Sequence, residues 1–362
     1  MEQRGMINRR DALRWGLGAA SLAASARLSL PALADVISSA KIEGSTEMAK
    51  AIQKPGKLRI GFSNGFSGNT WRTECLASMQ AEAHANADRY DLIVVDGQGD
   101  ISKQVNDIDD LIVQNVDALL CIANSGTAVV PALRKATRAG IITVPFNLPV
   151  EGEHWTAFIG TDPQKKGATT GKRLNDMLGG KGKIVALGGL PGNSYTAECW
   201  AGAKSQFEPG IEVLAFKDAS WEEDRAKVVM ADLLAAYPQI DGIWCDGGQD
   251  AAGALKAMMA ANRPLVPATG DDYNGLLKLY AAQKANYPKF QIACVSEPEW
   301  EGVVALRTAV KLLSGQDMPK RQIIFPVLID DSNYEKFIKP NLPDGVFVDS
   351  LLTDDQLKKL FG

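Results

Sequence analysis

One part of this 362-residue sequence repeats itself about 125 residues further along, and this repeat limits the folds open to the chain. Three pairs of segments match at nearly the same offset: 56–58 with 182–184, 117–121 with 241–245, and 141–147 with 265–271. The first segment of each unit opens a run that leads into a glycine-rich loop. Three matches at nearly one offset predict two structural units with the same topology.

Within each unit, short β-branched runs alternate with amphipathic stretches. Leu58–Phe62 is typical of a strand, and residues 70–89 are typical of a helix. Further strands are predicted at 91–96, 118–122 and 141–144, and further helices at 101–114 and 129–139. Alternation at this spacing is typical of a parallel sheet with helices on both faces. The sequence therefore predicts an α/β protein with two Rossmann-like lobes.

The chain continues beyond the second unit with a strand at 292–295, a helix at 299–314 and a strand at 323–329. These late elements predict that it crosses between the lobes at 161–162, 296–297 and 325–326. The expected parts are a first lobe of 57–161 plus 297–325, a second lobe of 162–296 plus 326–350, an N-terminal extension of 35–56 and a C-terminal tail of 351–362. Several crossings predict lobes that open and close as a hinge.

The N-terminus resembles a bacterial export signal. Arg9 and Arg10 precede a weakly apolar run at 15–24, and Ala32-Leu33-Ala34 is a small-residue cleavage motif. The paired arginines resemble the twin-arginine signal, although that family prefers a large apolar residue where Ala12 stands. The run is too short to span a bilayer well, which disfavours the alternative of a membrane anchor. We expect cleavage near Ala34 and a mature protein in the periplasm.

Composition excludes several partners. The net charge of −4 arises from 39 basic and 43 acidic residues without a polybasic block, so neither nucleic acid nor an anionic membrane is expected to bind. Two histidines and the absence of a CxxC pair from the sequence predict no metal site and no cofactor. The five cysteines are expected to be buried free thiols. A monomer is expected.

In open parallel sheets, ligands bind outside the carboxyl ends of the strands. The predicted strands are followed there by eight candidate ligand-binding residues: Asn69, Trp71, Arg72, Asn147, Trp221, Asp246, Asp272 and Ser296. Amides, carboxylates and a guanidinium can pair with vicinal hydroxyls, and tryptophan rings can stack on the C–H face of a sugar. The set favours a sugar or polyol, although Asn69 and Asp272 could instead be helix caps, the tryptophans core residues and Arg72 a surface cation.

The segment Gly61–Arg72 resembles the first ligand loop of the ribose/galactose-type periplasmic sugar-binding proteins of bacterial ABC importers, in the type I periplasmic binding protein superfamily. The resemblance extends over 57–327 and implies a non-catalytic protein that delivers a pyranose, furanose or polyol to an ABC importer permease. It also implies ligand roles for the candidate residues. The family's second-lobe arginine would fall near Cys199, which cannot replace it; Asp246-Gly247 replaces an asparagine, and Ser296 stands where a glutamine is common. These departures favour a polyol, deoxy-sugar or amino-containing sugar over ribose.

Other functions are weaker interpretations. Gly61–Gly65 matches the GxSxG pattern of serine hydrolases, but no suitably placed aspartate and histidine follow. The stretch 167–172 and the glycines at 188–192 fail the spacing of phosphate and dinucleotide loops. A regulator's effector domain would carry a DNA-binding unit where the export signal stands. A sugar-sensing partner of a membrane receptor remains an alternative to an importer component, because both are soluble proteins that dock on a membrane partner in their closed form.

Overall fold

The computed structural model describes residue 37 and residues 40–362. The predicted export signal, residues 1–34, and its cleavage near Ala34 lie outside the described residues. In the described part of the chain, no helix has the length and apolar character needed to cross a membrane.

The described residues form fifteen strands and ten α-helices. The strands are β1 (Ile42–Gly44), β2 (Met48–Ala49), β3 (Leu58–Asn64), β4 (Tyr90–Asp96), β5 (Ala118–Ile122), β6 (Ile142–Pro145), β7 (Phe158–Gly160), β8 (Lys181–Gly188), β9 (Gly210–Asp218), β10 (Gly242–Cys245), β11 (Ala268–Gly270), β12 (Ile292–Val295), β13 (Met318–Pro319), β14 (Arg321–Ile324) and β15 (Leu328–Asp330). The helices are α1 (Thr70–Ala85), α2 (Ile101–Val113), α3 (Val130–Arg138), α4 (Pro163–Leu178), α5 (Ser194–Lys204), α6 (Glu223–Ala236), α7 (Gly248–Ala260), α8 (Asn274–Gln283), α9 (Glu301–Leu313) and α10 (Asp354–Phe361). A short 3₁₀-helix covers Tyr334–Lys336.

The first lobe is built on a parallel four-stranded sheet in the order β4-β3-β5-β6. Every residue of β5 is buried, as expected for a strand covered by helices on both faces. A parallel bridge between Phe146 and Ile159 links this sheet to a second one, in which β14 pairs with β7 and with β1. Because β1 belongs to residues 35–56, the described part of the predicted N-terminal extension contributes a strand to this lobe.

The second lobe is built on a six-stranded sheet in the order β15-β12-β11-β10-β8-β9. All neighbours are parallel except β15, which runs antiparallel to β12 at the edge. The four residues at 184–187 of β8 have no solvent exposure, because helices cover both faces of the sheet. The predicted α/β class with two parallel-sheet lobes is confirmed.

The chain passes between the sheets at three places. It leaves β7 of the first lobe and enters α4, which packs on α5 of the second lobe. It leaves β12 and enters α9, which packs on α1 of the first lobe. The single late strand predicted at 323–329 is instead divided into β14 and β15, which lie in different lobes. Pro326 lies at the break, and proline has no N–H group with which to continue a ladder.

The C-terminal segment attaches to both lobes. The side chain of Asn274, from α8, donates to the carbonyl oxygens of Lys339 and Pro343. The backbone N–H of Phe347 donates to Oε2 of Glu74, on α1, at 3.0 Å. Helix α10 begins with a capping box at Thr353, and a small apolar cluster packs it onto the segment before it and onto α1. Residues 339–362 therefore form an additional connection between the lobes.

Helices α4 and α5 pack unusually closely. A Cβ atom at Gly167 would lie 1.8 Å from the carbonyl oxygen of Cys199, so only glycine fits at this position. The stretch 167–172, which fails the spacing of a phosphate loop, is part of helix α4 and not a loop. All five cysteines are buried and unpaired in the described structure, as the sequence analysis expected.

Candidate ligand-binding site

A cavity lies between the lobes, where the carboxyl ends of the two sheets face each other. Both lobes and the crossing segment after β12 line it. The lining residues are Asn69, Trp71, Arg72, Asn147, Leu148, Lys166, Tyr195, Trp221, Asp246, Gln249, Asp271 and Glu297. The volume open to the centres of water molecules is about 40 Å³. A single bound water needs roughly 10–15 Å³ on the same measure, so the cavity has room for several waters.

Six of the eight residues singled out in the sequence line this cavity: Asn69, Trp71, Arg72, Asn147, Trp221 and Asp246. Asp272 and Ser296 do not. Asp272 has no solvent exposure, and its carboxylate accepts the backbone N–H groups of Glu297 and Asp349, each at 2.8 Å. Ser296 donates from Oγ to Asp349 and accepts the N–H of Val327. Both side chains therefore hold chain segments together instead of reaching the cavity.

The two tryptophans contribute apolar ring surface on opposite sides. Nε1 of Trp71 donates to the carbonyl oxygen of Glu297 at 2.7 Å, and Nε1 of Trp221 donates to Oδ1 of Asp246 at 3.1 Å. Tyr195 meets Trp221 edge-on, with ring centroids 6.2 Å apart. Because each indole N–H is already bonded within the protein, the rings are held in place and offer mainly carbon surface to the cavity.

Strained backbone positions cluster beside the cavity. Asn147, Ser220 and Trp221 have φ angles of 62°, 65° and 56°, a region that costs an L-residue about 1–2 kcal/mol. A Cβ atom at Gly189 would lie 2.0 Å from the ring of Trp221, so glycine is required there. Such strain persists only where surrounding contacts enforce it, and it is frequent at binding sites.

The first-lobe wall is rich in hydrogen-bond donors. Asn69 caps α1 by accepting the N–H of Arg72 at 3.0 Å, which leaves its amide nitrogen without a partner of its own among the described hydrogen bonds. The Arg72 guanidinium donates to Oδ1 of Asn64 at 2.8 Å. Burial lowers the pKa of Arg72 to about 10, which still leaves it charged at neutral pH. Asn69 is thus both a helix cap and a cavity residue.

Glu297 is the centre of a buried hydrogen-bond network. Nζ of Lys166 lies 2.8 Å from its Oε2 atom, and Tyr195 donates to the same oxygen. Asn147 donates to its Oε1 atom at 2.9 Å and to Glu301 at 3.1 Å. Burial alone lowers the pKa of Lys166, but the carboxylates of Glu297 and Asp271 more than offset this effect and hold it above the ordinary value. Lys166 is therefore a buried cation.

The second-lobe wall is acidic. Burial raises the pKa of Asp246 to about 6 and that of Asp271 to about 8, while the charge of Lys166 acts in the opposite direction on both. Oδ1 of Asp271 accepts the N–H of Gly248, at the start of α7, at 2.6 Å. Burial disfavours the charged form of both carboxyl groups, so a further donor or a positive charge placed beside them would stabilise their carboxylates.

Sequence reasoning missed six lining residues: Leu148, Lys166, Tyr195, Gln249, Asp271 and Glu297. Lys166, Tyr195 and Gln249 lie at or near the first turn of α4, α5 and α7. A signal for them exists in the sequence, because each lies within about one helical turn of a loop that follows a strand. Asp271 and Glu297 each stand next to a residue that was chosen, so the loop was identified but the side chain facing the cavity was not.

The serine of the hydrolase-like pattern does not line the interlobe cavity. Ser63 lies within β3 with no solvent exposure, and its hydroxyl oxygen accepts from Gln104. His84 is exposed on α1. Residues 40–362 contain no cluster of histidine, cysteine and acidic residues suited to a metal ion. Two parallel-sheet lobes around a polar and aromatic cavity are instead the architecture of the two-lobed binding proteins.

Comparison with known proteins identifies the family. Residues 60–317 match the family described as periplasmic binding protein domain. The chain belongs to this family, whose members are periplasmic, and the resemblance inferred from the sequence is confirmed.

Relatives and solved structures agree with this assignment. The ribose import binding protein of Bacillus subtilis is 27% identical over 261 residues, which cover 72% of this chain and 84% of that protein. The xylitol-binding protein of Mycolicibacterium smegmatis is 31% identical over 194 residues, which cover 53% of this chain and 56% of that protein. An ABC transporter solute-binding protein from Mycobacterium smegmatis, solved with bound glycerol, has a TM-score of 0.70 and 28% identity, covering 78% of this chain and 98% of that chain.

The placement of Asp272 predicts a structural effect for its replacement. Asp272→Ala leaves the buried N–H of Glu297 and the partly buried N–H of Asp349 without their acceptor, and an unsatisfied buried group costs about 1–3 kcal/mol. We expect a lower free energy of unfolding in the ligand-free protein, measured by urea denaturation. The exposed Asp110→Ala on α2 is the control and should match the wild type. Unchanged stability of Asp272→Ala, combined with a tenfold loss of ligand affinity, would place Asp272 in the binding site.

Proposed function

We propose that this protein captures a sugar or polyol in the cavity between its lobes. The observation that carries the proposal is the pairing of two fixed tryptophan rings with a ring of polar groups inside one buried cavity. A sugar has C–H faces that stack on aromatic rings and hydroxyl groups that pair with amides, carboxylates and guanidinium. The ligands named for the relatives, ribose, xylitol and glycerol, belong to the same chemical class.

Six residues from the sequence analysis and four more are proposed to contact the ligand. From the first lobe, Asn69 and Arg72 supply donors and Asn147 offers its amide oxygen, because both of its N–H donors are bonded to Glu297 and Glu301. Trp71 and Trp221 supply stacking surfaces. Asp246, Gln249 and Asp271 supply acceptors from the second lobe, and Lys166 and Tyr195 complete that wall. Asp272 and Ser296 are assigned to holding the crossing segments instead. Closure of the lobes would bring donors and acceptors to opposite sides of a ligand.

We further propose that the protein acts as a monomer without catalysis and delivers its ligand to the permease of an ABC importer. The import-binding and transporter-associated relatives support the role in ABC import. The three crossings and the C-terminal connection support lobes that move as a hinge, which is how such a protein could present open and closed forms to a membrane partner.

The affinity test uses a panel of pentoses, hexoses and polyols in titration calorimetry and thermal shift. A ligand at 100 times its Kd should add about 2.7 kcal/mol of stability. Arg72→Gln removes charge-assisted hydrogen bonds of about 1.5–3 kcal/mol each, so affinity for the best compound should fall at least tenfold.

The matched control is Arg59→Gln, because Arg59 lies in the same lobe, on β3, and its side chain is exposed. It should bind as the wild type does, and circular dichroism should show both variants folded. Failure of every panel compound to bind the wild-type protein would overturn the proposed ligand class. Equal affinity of Arg72→Gln and Arg59→Gln would remove Arg72 from the site.

We also propose that residues 1–34 direct export through the twin-arginine route with cleavage near Ala34. Arg9→Lys combined with Arg10→Lys should abolish export, because that route depends on the arginine pair, and folded protein should accumulate in the cytoplasm. Cell fractionation followed by immunoblotting measures the distribution, with Arg14→Lys as the control. An unchanged periplasmic yield of the double variant would exclude this route, and N-terminal sequencing of the exported protein tests the cleavage position.

A further inference from the structure

The second-lobe wall of the cavity contains more buried carboxyl groups than there are cations paired with them. Asp246 and Asp271 line the cavity with exposures of 2% and 6%. Asp250, on the first turn of α7, has no exposure and is close enough for the charges of Asp246 and Asp271 to act on it. Three buried carboxyl groups therefore meet at the start of one helix. The partial positive charge at the start of α7 offsets only about half an elementary charge.

The cations near the cavity are already engaged. Lys166 forms its ion pair with Glu297 at 2.8 Å, and Arg72 donates to Asn64 within the first lobe. Among the described residues, no Lys, Arg or His side chain forms a salt bridge with Asp246, Asp250 or Asp271. The acids of this wall thus lack a counter-ion of their own within the protein.

Unpartnered acceptor atoms are present at the same wall. Oδ2 of Asp246 and Oε1 of Gln249 are buried and have no hydrogen-bond partner in the described structure. Both residues line the cavity beside Asp271. These groups need donors, and an ammonium group carries three N–H donors with no lone pair. A hydroxyl group supplies only one donor, and its lone pairs would face carboxylate oxygens.

We propose that the ligand carries an ammonium group that binds against Asp246, Gln249 and Asp271, which makes it an amino sugar or an amino-substituted polyol. The inference rests on the proposed function, since it names the ligand class of the same cavity. The ring and remaining hydroxyl groups lie between the tryptophans and face the donors of the first lobe. A neutral sugar would satisfy some acceptors but would supply no positive charge to favour the ionised form of these acids.

The electrostatics of the two acids agree with this assignment. Burial is the main cause that raises the pKa of both Asp246 and Asp271, so the charged forms are disfavoured in the empty cavity. Asp250 shifts in the same direction, because burial and the two neighbouring acids raise its pKa. An ammonium group nearby reverses this effect and favours the carboxylates. Binding near neutral pH is therefore accompanied by release of protons from the protein.

The test compares matched pairs that differ at one carbon: glucosamine and glucose, galactosamine and galactose, and aminocyclitols with their parent cyclitols. Titration calorimetry on the mature protein at pH 7 should find an amino compound that binds at least tenfold more tightly than its hydroxyl parent. Its N-acetyl derivative, which lacks the charge, should lose that advantage. Repeating the titration in buffers of different ionisation enthalpy should show net proton release for the amino compound.

Variants locate the effect. Asp271→Asn, which retains an oxygen to accept the N–H of Gly248, should reduce the preference for the amino compound at least fivefold. Asp232→Asn, on the exposed face of α6, is the charge-matched control and should retain the wild-type preference. An unaltered preference in folded Asp271→Asn would overturn the assigned position. The buffer experiment on wild-type protein decides the charge question if that variant does not fold.

Two further results separate this inference from the proposed function. Neutral parents that bind as tightly as their amino counterparts would overturn the ammonium assignment and leave the sugar or polyol function in place. Absence of binding by every member of every pair, together with failure of the neutral panel, would overturn both.

Discussion

The arrangement of the two lobes depends on the contacts of one buried glutamate. Glu297 lies on the crossing segment after β12 and bonds to Asn147 and Trp71 of the first lobe. It also pairs with Lys166 and accepts from Tyr195 of the second lobe. Removing one member of a buried ion pair leaves an uncompensated charge that costs about 3–5 kcal/mol. The same contacts orient five residues around the cavity, so the geometry of the site and the relation between the lobes have one physical origin.

The segments around this glutamate limit how the lobes can move. Asp272 holds the N–H of Glu297 and that of Asp349, which ties the crossing segment to the C-terminal segment. The C-terminal segment then reaches Glu74 and Glu299 of the first lobe. Burial and Asp349 raise the pKa of Asp272 to about 7, while the two N–H donors act in the opposite direction. Several short connections of this kind favour rotation about a common hinge over independent motion of the lobes.

The strands of the two sheets could be predicted from the sequence, because the hydrophobic period and the strand–helix alternation are local patterns. The strands at 118–122 and 292–295 have the predicted bounds. The loops at the cavity were also identified, since they follow strands. The choice between Asp271 and Asp272 could not be made, because neighbouring side chains of extended chain point in opposite directions and the register is fixed only by packing. Lys166 joins the site through a helix whose position depends on its close approach to α5.

The most direct measurement is a crystal structure of the mature protein grown with the tightest-binding compound of the panel. We expect a ligand between Trp71 and Trp221, within hydrogen-bond distance of Arg72 and of the carboxylates of Asp246 and Asp271. We also expect Glu297 to keep its bonds to both lobes around that ligand. A ligand bound outside the interlobe cavity, or one that contacts neither tryptophan, would contradict these expectations.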